Sequence, residues 1–194
     1  MPTAKQPPAP PVPERRLVLV NGQEGAGKST IIRALLPYVP NSARIDAEDI
    51  GQTNPCPMDD VFFDLLRRNV AGLVGSFWAG GYHTVITGSF LRNHADYLDF
   101  RRLLPAAHPS EPTAVYLVEL LVDVRVRNHR RVTRAKRTTQ HWRDMVDRIP
   151  EDRTLRAAAD ADYRYLGVDT SGLDVAGTVH RIVAAFPELG RHGR

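Results

Sequence analysis

The chain has 194 residues, 42% hydrophobic and 25% charged, enough for one α/β domain with a full core and too few for two ordinary domains. It has no run of about 18 apolar residues, which excludes a membrane-spanning helix. Its single cysteine, Cys56, excludes an internal disulfide, argues against a cysteine-based metal site and fits a reducing cytoplasm. The net charge of +4 is local: Arg125, Arg127, Arg130, Arg131, Arg134, Lys136 and Arg137 fall in thirteen residues without an acid, so an anion is expected to be gripped there.

The opening "MPTAKQPPAPPVPERR", with six prolines in its first thirteen residues, reads as a disordered or polyproline-like tail over residues 1–15. From Arg16 to residue 190, short apolar runs alternate with segments of helical spacing, the pattern of one α/β domain with a mainly parallel sheet; residues 191–194 form a short second tail. "LVLV" (17–20) is the first buried strand, and a helix from Ser29 to Leu36 is stopped by Pro37. "ARID" (43–46) is a second strand. The long segment after Met58 places Val61, Phe62, Leu65, Leu66, Leu73 and Phe77 on one helical face and ends at Gly80 and Gly81.

"HTVITG" (83–88) is a third strand, followed by a helix with Asn93 as N-cap. "AVYLVELL" (114–121) is a fourth strand, and Asp123 caps the arginine-rich helix behind it. One or two mobile helices are expected between His141 and Asp162, then a fifth strand at 165–170 and a closing amphipathic helix in "LDVAGTVHRIVAAF". The seven histidines show no ligand spacing, so no zinc is expected.

Between the first strand and the first helix, Gly22, Gly25, Gly27, Lys28 and Ser29 satisfy G-x-x-x-x-G-K-[ST] in the strand-then-helix context that motif requires. Glycines let backbone N–H groups turn toward phosphate oxygens, and the helix N-terminus adds positive potential. ATP with Mg²⁺ is the expected ligand: Gly22, Gly25, Ala26, Gly27, Lys28, Ser29 and Thr30 form the cradle, Lys28 reaches the terminal phosphates, and the Ser29 hydroxyl ligates Mg²⁺. About twenty residues on, "RIDAEDIG" puts Asp46, Glu48 and Asp49 at the C-terminal end of the second strand, where ligands of open α/β sheets collect. Asp46 or Asp49 would position the hydroxyl that receives the phosphoryl group, and Asp46 would also serve the metal; Glu48 ranks last of the three. The third strand ends in Gly88 and Ser89 where an ATPase usually offers an aspartate, which disfavours a motor or ordinary ATPase.

The chain resembles the shikimate kinase and gluconate kinase group of P-loop phosphotransferases, especially its chloramphenicol phosphotransferase-like branch. The resemblance rests on "NGQEGAGKSTIIRALL", on "IDAEDI", and on "LLVDVRVRNHRRVTRAKR" followed by "ADADYRYLGVDTSGLDVAGTVHRIV". It implies a five-stranded parallel sheet of order 2-3-1-4-5, a closing lid at about 125–150, and transfer of the γ-phosphate of ATP to a small-molecule hydroxyl. Matched onto this chain, it places Asp49 at the branch's catalytic carboxylate, Arg130 against the adenine, Arg134 and Arg137 as lid arginines, and Thr170 and Ser171 in the loop lining the adenine pocket. "TGSFLRN" departs from the pattern by lacking an acid.

On a helix, Arg127, Arg130, Arg131 and Arg134 also share a face that could close over a transferring phosphoryl group. The acceptor pocket is expected from "GQTNPCPMDDVFF", the turn "GSFLRN" and the lid, with Ser89 and Arg92 binding the acceptor; Phe62, Phe63, Phe77 and Trp78 read as core. Two other functions remain open: a 5′-hydroxyl nucleic-acid or nucleotide kinase, whose basic helix would track a phosphate backbone, and a nucleotide-dependent switch. "DTSG" spells a GTPase motif, but at the last strand and without a guanine-reading N-K-x-D. A monomer or homodimer fits equally well.

Overall fold

A computed structural model describes residues 15–105, 113–133, 139–148, 152–159 and 161–190. Arg134 and Arg137 lie outside the described residues, as do the two expected tails apart from Arg15.

Five strands, β1 (Arg16–Gly22), β2 (Ser42–Asp46), β3 (Thr84–Gly88), β4 (Ala114–Leu121) and β5 (Arg164–Asp169), form one sheet of order β2-β3-β1-β4-β5. Every pairing is parallel. β1 is central: Val18 stands opposite Ile86 on one side and Tyr116 on the other. Its apolar residues alternate between two cores because strand side chains point to opposite faces. Leu17 and Leu19 join one cluster with Val85 and Leu117, while Val18 and Val20 join the other with Ile86 and Val118. A sheet covered on both faces accounts for the near-continuous apolar strands.

On the second face lie α1 (Lys28–Leu35), followed by a 3₁₀ turn (Leu36–Tyr38) that contains Pro37, and the closing helix, which packs on α1. The other face carries the long helix after residue 59. Between them in the chain, α2 (Ala47–Ile50) is a single turn capped by Asp46, whose carboxylate accepts from Glu48 N at 3.2 Å. α3 (Asp60–Ala79) starts at Asp59, which accepts from Phe62 N at 2.9 Å, and ends at Gly80.

α3 corrects the expected helical face. It buries Phe62, Phe63, Leu66, Arg67, Val70, Ala71, Val74 and Trp78, whereas Val61, Leu65 and Leu73 are exposed. Apolar residues occur nearly all round this helix, so their spacing leaves its rotation open. Arg67 shows how the rotation is settled: its guanidinium donates to the buried Asp96 carboxylate at 2.6 Å.

The remaining helices are α4 (His94–Leu103), α5 (Val124–Thr133), α6 (Gln140–Asp147), α7 (Thr154–Ala157) and α8 (Val175–Ala185). Asn93 caps α4, accepting from Asp96 N at 2.9 Å, and Asp123 caps α5, accepting from Arg125 N at 2.8 Å. Asp174 caps α8, accepting from Gly177 N at 2.7 Å. Among the described residues no helix is long and apolar enough to cross a membrane.

Asp96 ties α3 to α4. Burial pushes its carboxyl up, but hydrogen bonds from the Arg92 side chain and backbone, with the charges of Arg67 and Arg92, outweigh burial and hold it below the ordinary 3.8. The unfolded chain therefore takes up this proton first as pH falls. The contribution is present above that value and lost as pH drops through the folded-state pKa. Asp96→Ala takes from buried Arg67 its nearest carboxylate and leaves it the more exposed Asp64 at 3.8 Å, and urea unfolding at neutral pH should show a loss of about 3 kcal/mol; a loss below about 1 kcal/mol would remove the pair from the account.

Candidate phosphate and acceptor site

The loop after β1 bends on glycines at positive φ: +137° at Gly22, +87° at Gly25 and +101° at Gly27. Gly25 is also a packing requirement. A Cβ there would stand 2.7 Å from Cγ of Arg131 and 3.1 Å from Cγ of Arg127, so the stems of two α5 arginines press on the loop's outer side.

α1 follows with Gly27 at its N-cap and no side-chain cap, unlike α2, α3, α4, α5 and α8. The first N–H groups of a helix have no partner within it, and here they open on a cavity of about 730 Å³. An uncapped helix start carrying partial positive charge fits a phosphate group. Lys28 Nζ donates to the carbonyls of Gly22 and Gln23 at 2.9 and 3.1 Å. That keeps the ammonium against the loop at the cavity's edge.

Gly25, Ala26, Gly27, Lys28, Ser29, Thr30, Asp46, Asp49, Arg130 and Thr170 all line this first cavity. Gly22, Ser89 and Arg92 line a second cavity of about 550 Å³. Ser171 lines neither: its hydroxyl accepts from Asp123 N at 2.8 Å, and its N–H donates to Asp169 at 2.9 Å. Asp46 is 6% exposed and Asp49 is exposed. Glu48, ranked last from sequence, lines both cavities, as does Lys28.

The far wall of the first cavity comes from the loop before α8. Leu173, Asp174, Val175 and Thr178 line it: Leu173 and Asp174 belong to the loop "DTSGLD" that the resemblance places along the adenine pocket, whereas Val175 and Thr178 lie beyond it on α8. Arg130 closes the wall, donating to Thr170 Oγ1 at 3.1 Å and to Thr170 O at 2.7 Å.

The arginines of α5 do not act as one face. Arg131 is 2% exposed; its Nε lies 2.6 Å from Glu24 of the loop, and Nη1 donates to Asp147 of α6 at 2.8 Å. Arg127 donates to Gln23 and, at 3.2 Å, to Asp147. Residues four apart thus reach the phosphate loop, while Arg130 turns to the β5 side. Sequence spacing shows the shared face of 127 and 131 but not that loop and α6 carboxylates occupy it.

β3 ends against β1 so closely that a Cβ on Gly88 would stand 2.0 Å from the carbonyl oxygen of Val20. No side chain can replace this glycine without moving a strand, so Gly88 itself cannot carry the acid. Ser89 follows at φ +71°, a conformation rare outside glycine. Among the described residues no group of three or more His, Cys, Asp or Glu side chains is placed to hold a metal ion.

Comparison with solved structures agrees with this architecture. A sugar kinase from Janibacter sp. HTCC2649 superposes with a TM-score of 0.66 at 16% identity, covering 93% of this chain and 100% of that one. A gluconokinase from Sinorhizobium meliloti 1021 gives 0.63 at 14% identity, covering 93% and 95%. Shikimate kinase from Bacteroides thetaiotaomicron gives 0.57 at 18% identity, covering 88% and 98%. No family model and no curated protein matches the sequence.

Inorganic tripolyphosphate should raise the thermal midpoint of the wild type and shift that of Lys28→Ala far less, since a ligand stabilises by its binding to the folded state. Equal shifts would detach the first cavity from anion binding. These observations establish that the chain has the P-loop kinase fold, with its phosphate loop at the junction of two cavities.

Proposed function

We propose that the protein is an ATP-dependent phosphotransferase that moves the γ-phosphate of Mg-ATP to a hydroxyl of a small molecule. The observation that carries this reading is the meeting of two cavities at Lys28 and Glu48, one opening on an uncapped helix start and one reaching away from it along α3 and the turn after β3. A hydrolase needs room for one nucleotide and a water; a phosphotransferase needs a second chamber for the acceptor. The kinase fold neighbours, named for sugar, gluconate and shikimate substrates, support the same reaction class.

Bound Mg-ATP supplies the transferable phosphoryl group and the ADP leaving group. The N–H groups opening α1 and the Lys28 ammonium hold the phosphates, and the hydroxyl of Ser29 with the carboxylate of Asp46 serves the metal. The loop at Thr170, fixed by Arg130, receives the nucleoside end. Glu48 orients the acceptor hydroxyl and accepts its hydrogen bond, because of the three acids only Glu48 lines both chambers. Asp49, exposed on the first cavity, is the other candidate for this role.

Steady-state ADP release in the presence of an acceptor checks the assignment. Lys28→Ala should abolish turnover with the fold intact. Glu48→Gln should lower kcat by about 10²–10⁴ while ATP affinity is retained, and Asp49→Asn should have a much smaller effect. The opposite ranking would transfer the positioning role to Asp49.

A further inference from the structure

The phosphate loop carries an acid of its own. Glu24 immediately precedes Gly25, which lines the first cavity. Its side chain is only 15% exposed, so water screens the carboxylate poorly, and a negative charge at this place in the loop opposes a bound phosphate. Glu24 nevertheless does not border that cavity. It lines the second cavity and a third one of about 260 Å³, reached from residues 21–24 of the loop.

The carboxylate is held there from α5. Arg131 is buried and lines none of the three cavities. Its Nε makes the 2.6 Å ion pair with Glu24, while Nη1 donates to both oxygens of Asp147 at 2.8 and 3.0 Å and Nη2 to the carbonyl of Arg143 at 3.4 Å. α6 therefore anchors the guanidinium from behind. The stem of Arg131 fills the space that a Cβ on Gly25 would need. Arg127 donates to Gln23 and to the same Asp147. Two guanidinium groups thus face two carboxylates, and the network adds no net charge to the loop.

Resting on the reading of the first cavity as the nucleotide site, we infer that Arg131 is a positioning residue for phosphate binding: it neutralises Glu24 and holds that carboxylate away from the phosphate cavity. Lys28 and the start of α1 are then left to set the potential that a phosphate meets. Arg131 acts through Glu24 and touches no bound group. Its fork reaches Glu24 and Asp147 at once, which the single ammonium of a lysine does not match. A purely structural support and a neutraliser differ in one respect. Lost support stays lost when Glu24 is also changed, whereas a neutraliser is no longer needed once the carboxylate is gone.

The test measures binding of the non-hydrolysable analogue AMP-PNP with Mg²⁺ by calorimetry on the full chain, with circular dichroism as the check of folding. Arg131→Met keeps an unbranched stem and removes the charge; it should weaken binding by about tenfold or more, the effect of one uncompensated charge near the phosphates at an effective dielectric of about 20. Adding Glu24→Gln to that variant should restore affinity to within about threefold of the wild type, a non-additivity expected only of groups that act on each other. If Arg131→Met does not fold, Arg131→Lys answers the same question: binding should fall about threefold, because the ammonium is divided between two carboxylates, and Glu24→Gln should again restore it. Unchanged affinity in the arginine variants, or a loss that Glu24→Gln does not repair, would overturn the positioning role and leave nucleotide binding intact. Failure of the wild type to bind the analogue would overturn the nucleotide reading and this inference with it.

Discussion

β1 is hydrogen-bonded on both sides, and the rest of the site depends on that placement. A central strand with parallel partners left and right cannot shift its register without breaking two ladders, so the loop leaving its C-terminal end is held in place. The chain turns first toward β3 and β2 and then toward β4 and β5, which leaves a crevice at this loop where ligands of open α/β sheets bind. α1 starts there without a side-chain cap, although Asp or Asn caps several other helices of the molecule. The unsatisfied helix start is a local cost of folding that binding an anion would offset.

Two further constraints shape what surrounds the loop. The closeness of Gly88 to Val20 leaves no room for a side chain on the last residue of β3, while the turn after β2 brings Asp46, Glu48 and Asp49 to the cavity beside the loop. On the opposite side, Arg131 joins Glu24 of the loop to Asp147 of α6, with Arg127 contributing to the same network. A buried arginine between two carboxylates has value as a locator more than as a source of net stability, since desolvation offsets much of its attraction. Loop position and α6 position are thereby linked through one side chain.

Much of the fold was legible because its signals are local. Strands of four to eight apolar residues, the phosphate-loop glycines, and the caps Asn93 and Asp123 each depend on neighbours in sequence, and the structure places them within a residue or two of expectation. The rotation of α3 was not legible. Leu65 and Leu73 read as well as Leu66 and Val74 until the buried pair of Arg67 and Asp96, 29 residues apart, fixes which side faces inward. Likewise the basic run of α5 announces an anion site but cannot reveal that Arg131 is matched by Glu24, 107 residues earlier, and Asp147. Glu48 was undervalued for a related reason: its distinction from Asp49 is a matter of which chamber it borders, and that is set by packing of α2 beneath α3.

The central claim is that phosphate leaves the first cavity for a hydroxyl in the second. Following the fate of radioactively labelled γ-phosphate from Mg-ATP, with a panel of small-molecule alcohols present, tests this most directly. The account predicts label in an organic phosphate ester, formed in step with ADP and absent with Lys28→Ala. Label recovered solely as inorganic phosphate at an unchanged rate with and without the alcohols would contradict it, because water and not a second substrate would then be the acceptor.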